Sequence, residues 1–129
     1  FSRTRADHSD ETAEDYVEAI SDLIESEGEA RVRDLVEIMG VSHVTVSRIV
    51  KRLCKEGLAS TQPYRPITLT KEGQQLASQA RKRHKVVRKF LVAIGVSERQ
   101  AEIDAEGIEH HVSQETLRAM KRIAKQSKE

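Results

Sequence analysis

Tryptophan is missing from this 129-residue chain and only 3% of its residues are aromatic, so its interior must be built from Leu, Ile, Val and Ala. The single cysteine, Cys54, excludes an internal disulfide framework and a zinc site made of several thiolates, and it fits a reducing compartment. The two prolines, Pro63 and Pro66, fall in one short stretch and leave the rest of the chain open to helix. No apolar run approaches the roughly 20 residues of a membrane span. Residues 1–10 lack the apolar centre of a secretion signal, so a soluble cytoplasmic protein with no membrane partner is expected. Phe1 is not an initiator methionine, and residues upstream of it are expected.

What is abundant is charge, and it is sorted. The net charge is only +1, yet residues 7–29 hold ten acids and no base. Residues 31–66 hold seven bases against three acids, and residues 81–89 hold six bases and no acid. Residues 98–116 return to acid, with six against the single base Arg99. Such sorting implies a basic surface for a polyanion and a separate acidic one for a cation.

The apolar spacing places the elements. Residues 1–11 are polar and aperiodic and read as a loose arm. Thr12 opens a helix with Asp15 three residues on, and Val17, Ile20, Leu23 and Ile24 give it a buried face up to Gly28. Val32, Leu35, Val36 and Met39 mark a short helix closed by Gly40. A third helix, from His43 to about Glu56, buries Val46, Ile49, Val50, Leu53 and Cys54. Two short helices joined by a tight turn, the second polar and basic outside, predict a helix-turn-helix. Its outward residues are Ser42, His43, Thr45, Ser47, Arg48, Lys51 and Arg52, with hydroxyls near the start and cations further along. That order suits base edges first and phosphates after. An ordinary amphipathic helix pair is the bland alternative.

Leu58–Thr61 and Ile67–Leu69 alternate as two short strands, and the proline-bounded loop between them makes a wing. Tyr64 and Arg65 at its tip are placed to reach phosphates or a minor groove, although Tyr64 also fits a plain surface turn. Thr70 caps a long helix from Lys71 to about Ile94, with more apolar positions, Leu76 and Ala77 among them, than one small domain buries, which predicts packing on the winged domain and also on a second chain. Its His84 is flanked by cations and reads, alone, as a surface residue. Ser97 begins a helix expected to run through His111, and Ser113 begins the last one. The fold class is therefore mainly α: an arm over 1–11, a winged helix-turn-helix over 12–70 and an all-helical dimerisation domain over 71–129.

In the helix after Ser97, Glu106, Glu109 and His110 stand at i, i+3 and i+4, one turn apart on one face, with Asp104 beside them. Like charges one turn apart repel by roughly 0.2–0.5 kcal/mol, and a bound cation would relieve that. Carboxylates with one imidazole form a hard ligand set suited to manganese or ferrous iron rather than zinc or copper. A solvated acidic face is the competing reading. A carboxylate-bridged dimetal enzyme is a second class, but such enzymes present Glu-x-x-His pairs, and Gly107 and Ile108 stand where those glutamates belong. No nucleophile and base set is present, so an enzyme with a small-molecule substrate is not expected. A winged-helix repressor indifferent to metal is a third reading.

Taken together, Asp15-Tyr16-Val17-Glu18, the winged helix-turn-helix, Arg83-His84 and Asp104-Ala105-Glu106-Gly107-Ile108-Glu109-His110-His111 resemble the manganese transport regulators. These are the short members of the diphtheria-toxin-repressor-like family of metal-dependent transcription factors. The resemblance runs roughly from Thr12 to Ile123. It implies a homodimeric repressor of operator DNA that controls manganese homeostasis, with a two-metal site made by Asp15, Glu18, His84, Glu106, Glu109 and His110. Iron-sensing relatives place softer sulfur groups where this chain has Asp15 and Glu109, which favours two Mn2+ per chain over Fe2+. His111 is implied to be a neighbour of the site rather than a ligand.

Overall fold

The computed structural model describes residues 2–126, with side chains described from Glu11 onward, and it divides into two compact units, up to Ser78 and from Gln79. In the first, α1 (Ser2–Glu27), α2 (Val32–Met39) and α3 (His43–Lys55) are followed by a hairpin of β1 (Ala59–Ser60) and β2 (Thr68–Leu69). The long α4 (Lys71–Ala93) crosses into the second unit, which continues with α5 (Glu98–Ile108) and α6 (Gln114–Gln126).

The core of the first unit is aliphatic, as the shortage of aromatics requires. Val17, Ile20, Leu35, Val46 and Leu53 are fully buried, and Tyr16 is the one aromatic ring among them. Each such side chain contributes roughly 1.5–3 kcal/mol by leaving water, so α1, α2 and α3 are held by their apolar stripes more than by helix propensity. The turn between α2 and α3 depends on Gly40, whose φ of +66° lies in the left-handed region and whose N–H donates to Val36 C=O at 3.0 Å. Ser42 then caps α3, its Oγ accepting from Thr45 N–H at 3.2 Å.

The hairpin is short because its loop takes most of the intervening chain. Ala59 pairs with Leu69 and Ser60 with Thr68, antiparallel, and Ile67 makes a further bridge to Ala30. The ladder thus ties the wing to the segment between α1 and α2. Thr70 caps α4 as its position predicts: Gly73 N–H donates to Thr70 Oγ1 at 3.1 Å. Gly73 itself lies against the wing, where an added Cβ would collide with the Leu58 carbonyl.

Two expectations change. The helix expected to open at Thr12 already runs from Ser2, so α1 covers positions assigned to a loose arm; residues 2–11 contain no proline or glycine to stop it. As the surplus of apolar positions on α4 implies, Leu76 and Ala77 in its early turns pack into the first core, and the compact units part inside this helix. Finally, α5 ends at Ile108 instead of running through His111, with Glu109 as its C-cap. The last turn tightens there, His111 N–H donating to Ile108 C=O at 3.0 Å, and Ser113 begins α6 by accepting from Thr116 N–H at 3.1 Å.

The second unit has its own core, in which Val87, Ala101 and Ala105 are fully buried with Phe90, Ile108, Leu117 and Met120 around them. Ile94, Ile103 and Ile123, one on or beside each of its helices, remain more than 40% exposed, too much apolar surface for a unit of this size to leave without purpose.

Candidate metal centre and nucleic-acid interface

The acidic cluster of the second unit centres on Glu109. Its carboxylate is 3% exposed, the only buried charged residue among those described, although it belongs to a residue type rarely buried unless paired. The pairing is with two imidazoles. His84 Nδ1 lies 2.9 Å from Glu109 Oε2, and His110 Nε2 lies 3.5 Å from Oε1, with the His110 side chain only 2% exposed. On its other side His84 Nε2 meets Glu102 Oε1 at 2.8 Å, and Glu102 Oε2 is 3.6 Å from Arg88 Nε. Burial alone would lower the His84 pKa, but the hydrogen bond to Glu102 and the charges of Glu109 and Glu102 outweigh it and hold the ring above its usual value.

His84 is therefore no surface residue, despite its cationic neighbours in sequence. Its side chain is 17% exposed and faces α5 because it sits three positions before the buried Val87, on the packed side of α4. Glu109 continues, at four-residue spacing, the buried stripe of Ala101 and Ala105, and Glu106 does not. Glu109 is buried and Glu106 exposed, and Glu106 is not among the groups that the described contacts join around His84. Asp104 accepts from Gln100 Nε2 at 2.8 Å, one turn back. Glu102 and Glu109 are thus paired with His84 and Arg88, and Asp104 is hydrogen-bonded by the Gln100 amide. In the first unit Asp15 is exposed and Glu18 half-buried on α1, between the buried positions Ala13, Tyr16 and Val17. Glu102 escaped sequence reasoning. Its one signal was position, since residues 102 and 109 lie two helical turns apart and so share a side of α5.

The first unit presents α3 and the wing. His43, Val44, Arg48 and Lys51 are exposed along one face of α3, backed by the buried Val46, Val50 and Leu53. The small polar groups expected to read bases are engaged on the helix itself: Ser42 and Thr45 hydroxyls are 3.0 Å apart, and Ser47 Oγ is 3.4 Å from His43 Nδ1. Arg52 turns along the helix to Glu56, 3.4 Å away. Val44, which the polar reading passed over, is 64% exposed in the first turn. Between α3 and the wing opens a cleft of about 580 Å³ lined by Arg31, Arg33, Ser47, Lys51, Tyr64 and Arg65. Arg31 and Arg33 belong to the basic stretch but were assigned no role. Cys54, expected in the core, is half-buried in this cleft with its Sγ 3.7 Å from Thr61 Oγ1. At the wing tip Tyr64 is 99% exposed with φ of +64°, a conformation that a non-glycine residue adopts at a cost.

Comparison with known proteins bears on both units. Residues 9–67 match the family model described as iron dependent repressor, N-terminal DNA binding domain, and residues 70–129 match iron dependent repressor, metal binding and dimerisation domain. The chain is 49% identical over 121 residues to the transcriptional regulator MntR of Escherichia coli O157:H7, covering 94% of this chain and 78% of that one. Among solved structures it is similar to the manganese regulator SloR, with a TM-score of 0.76 and 30% identity over 88% of this chain and 53% of that one. A manganese-dependent transcriptional repressor in complex with manganese gives a TM-score of 0.74 and 31% identity, over 90% of this chain and 52% of that one. The chain spans about half the length of these two solved proteins.

Proposed function

The chain belongs to the iron dependent repressor family, and on that premise we propose that it is a manganese-responsive, homodimeric repressor whose hold on operator DNA is set by metal. The single observation that carries the reading is the Glu109 carboxylate, buried between the imidazoles of His84 and His110. A protein gains little from burying an acid against two histidines for stability alone. It gains a binding site if a cation can replace the protons.

The donor set fits a hard divalent ion. His84 Nδ1 and Glu109 Oε2, 2.9 Å apart, would offer it a nitrogen and an oxygen donor side by side. In this reading Asp15 and Glu18 on α1, with His84, Glu106, Glu109 and His110, hold two manganese ions per chain. Four carboxylates and two imidazoles supply the oxygen-rich coordination manganese accepts, while the absence of sulfur at Asp15 and Glu109 speaks against ferrous iron. Bound metal supplies positive charge where acids converge. His84 and Glu109 would hold the ion in their unprotonated forms, and Asp15 and Glu18 would have their charge compensated by it, fixing α1 and with it the DNA-binding unit.

On the DNA side, Arg48 and Lys51 are exposed cations of α3, with Lys55 beyond them at its end, and are assigned to guanine edges and phosphates; Val44 offers apolar contact to a thymine methyl. Ser42, His43, Thr45 and Ser47 line the start of the same face, and Arg52 contacts phosphate only by leaving Glu56. Tyr64 and Arg65 extend the surface along the wing. The exposed Ile94, Ile103 and Ile123 are assigned to the dimer interface. A family of DNA-binding regulators with no paired nucleophile and base leaves an enzyme without support. The test is calorimetric: about two manganese ions per chain are expected near neutral pH, lost together with DNA binding in Glu109→Ala, whereas no manganese uptake by the native protein would refute the reading.

A further inference from the structure

Among the side chains gathered around His84, Glu102 has no part in the proposed ligand set. It lies on α5 with a half-exposed side chain, 54%, and its two oxygens divide between His84 Nε2 at 2.8 Å and Arg88 Nε at 3.6 Å. His84 and Arg88 are one turn apart on α4, so a single α5 carboxylate bridges two successive α4 side chains. The ring nitrogens of His84 face two different acids: Nε2 faces the exposed Glu102 and Nδ1 the buried Glu109.

From this geometry we propose that Glu102 is a positioning residue, which holds the His84 ring by its Nε2–H so that Nδ1 presents its lone pair beside Glu109. The proposal rests on the reading of His84 and Glu109 as metal ligands. A neutral imidazole carries one N–H and one lone pair, and both acids can only accept, so they compete for that one proton; Glu102, held by Arg88, keeps it at Nε2 and leaves Nδ1 as the donor atom when a cation takes the place beside Glu109. Such a partner also raises the basicity of the ligating nitrogen. Glu102 is not itself placed as a ligand, because the two ring nitrogens point away from each other and a group bonded to Nε2 does not reach an ion at Nδ1. Arg88 completes the arrangement by holding the second oxygen of Glu102, which keeps the carboxylate aimed.

The test compares the native chain with Glu102→Ala and Glu102→Gln, since glutamine retains an oxygen that can accept the Nε2–H bond. Two measurements are made on each: manganese affinity and stoichiometry by calorimetry, and the His84 tautomer by long-range nitrogen–proton NMR on the metal-free protein with its imidazoles neutral. Native protein and Glu102→Gln are expected to hold the Nε2–H tautomer and to bind manganese within a few-fold of each other. Glu102→Ala should show a mixture of tautomers and bind about 10- to 100-fold more weakly with unchanged stoichiometry. Equal affinity in Glu102→Ala and the native chain would overturn the proposal, and so would loss of one whole manganese equivalent, which marks a ligand. A native chain that binds no manganese instead refutes the metal site, and in that case an unaltered tautomer in Glu102→Ala overturns the positioning role as well.

Discussion

Glu109 and Glu106 stand three residues apart and were expected to behave as a repelling pair, but their surroundings make them opposites. Glu109 is buried against His84 and His110, so Glu109→Ala removes the partner of two enclosed rings and should destabilise the metal-free protein by roughly 1–3 kcal/mol. Glu106 is exposed, and Glu106→Ala should leave the metal-free melting within about 0.5 kcal/mol of native while still weakening manganese binding. Thermal melts in chelator beside calorimetry in manganese separate the two; matched losses of stability would show that both acids are structural. His84 adds a pH signature. Its folded pKa is raised, so its contribution to metal-free stability is complete below the unfolded value of about 6.5 and is lost as pH rises through the folded value. The melting difference between the native chain and His84→Ala in chelator should therefore shrink from about pH 5 to about pH 9. Manganese affinity should rise over the same interval, because metal needs the ring deprotonated. A difference constant with pH would mean that the His84 ion pairs contribute nothing.

At the scale of the element, local signals were legible and cross-helix ones were not. The caps at Ser42, Thr70, Ser97 and Ser113 and the stop at Gly40 follow from hydrogen-bonding and backbone preferences that act within a turn; α3, α4, α5 and α6 begin, and α2 ends, where those residues place them. The pairing of His84 with Glu102 spans 18 residues and two helices, and periodicity carries no trace of it. The end of α5 at Ile108 carries no local mark either, since neither glycine nor proline stands between Glu109 and Val112. The wing yields a prediction at this scale. Gly73→Ala drives a methyl group into the Leu58 carbonyl and should cost about 1–3 kcal/mol, with the first unit losing its hairpin packing. Chemical denaturation checks this; native stability in that variant would mean that α4 does not abut the wing. On α3, Arg48→Ala and Lys51→Ala should each weaken operator binding and flatten its salt dependence, and Val44→Ala should alter base preference with little change in salt slope. Salt-resolved binding measurements separate these, and unchanged slopes in both cation variants would move the interface off α3.

For the whole molecule, the composition anticipated the division of labour. The basic stretch over residues 31–66 supplies the α3 and wing surface, and two of the acids over 98–116, Glu102 and Glu109, meet at His84. The long α4 has more apolar positions than one core takes, and it serves both: Leu76 and Ala77 pack into the first, Val87 and Leu91 into the second. The central claim is that metal and DNA binding share one free energy. Manganese affinity should be measured by calorimetry with and without an operator duplex selected from random sequence in the presence of manganese, and duplex affinity with manganese and with chelator. Coupling of about 1–3 kcal/mol, 5- to 150-fold, is expected, and thermodynamic reciprocity requires that metal raise DNA affinity by the same factor as DNA raises metal affinity, counted over all sites filled. Duplex affinity that is the same in manganese and in chelator would contradict the account, however tightly the metal were bound.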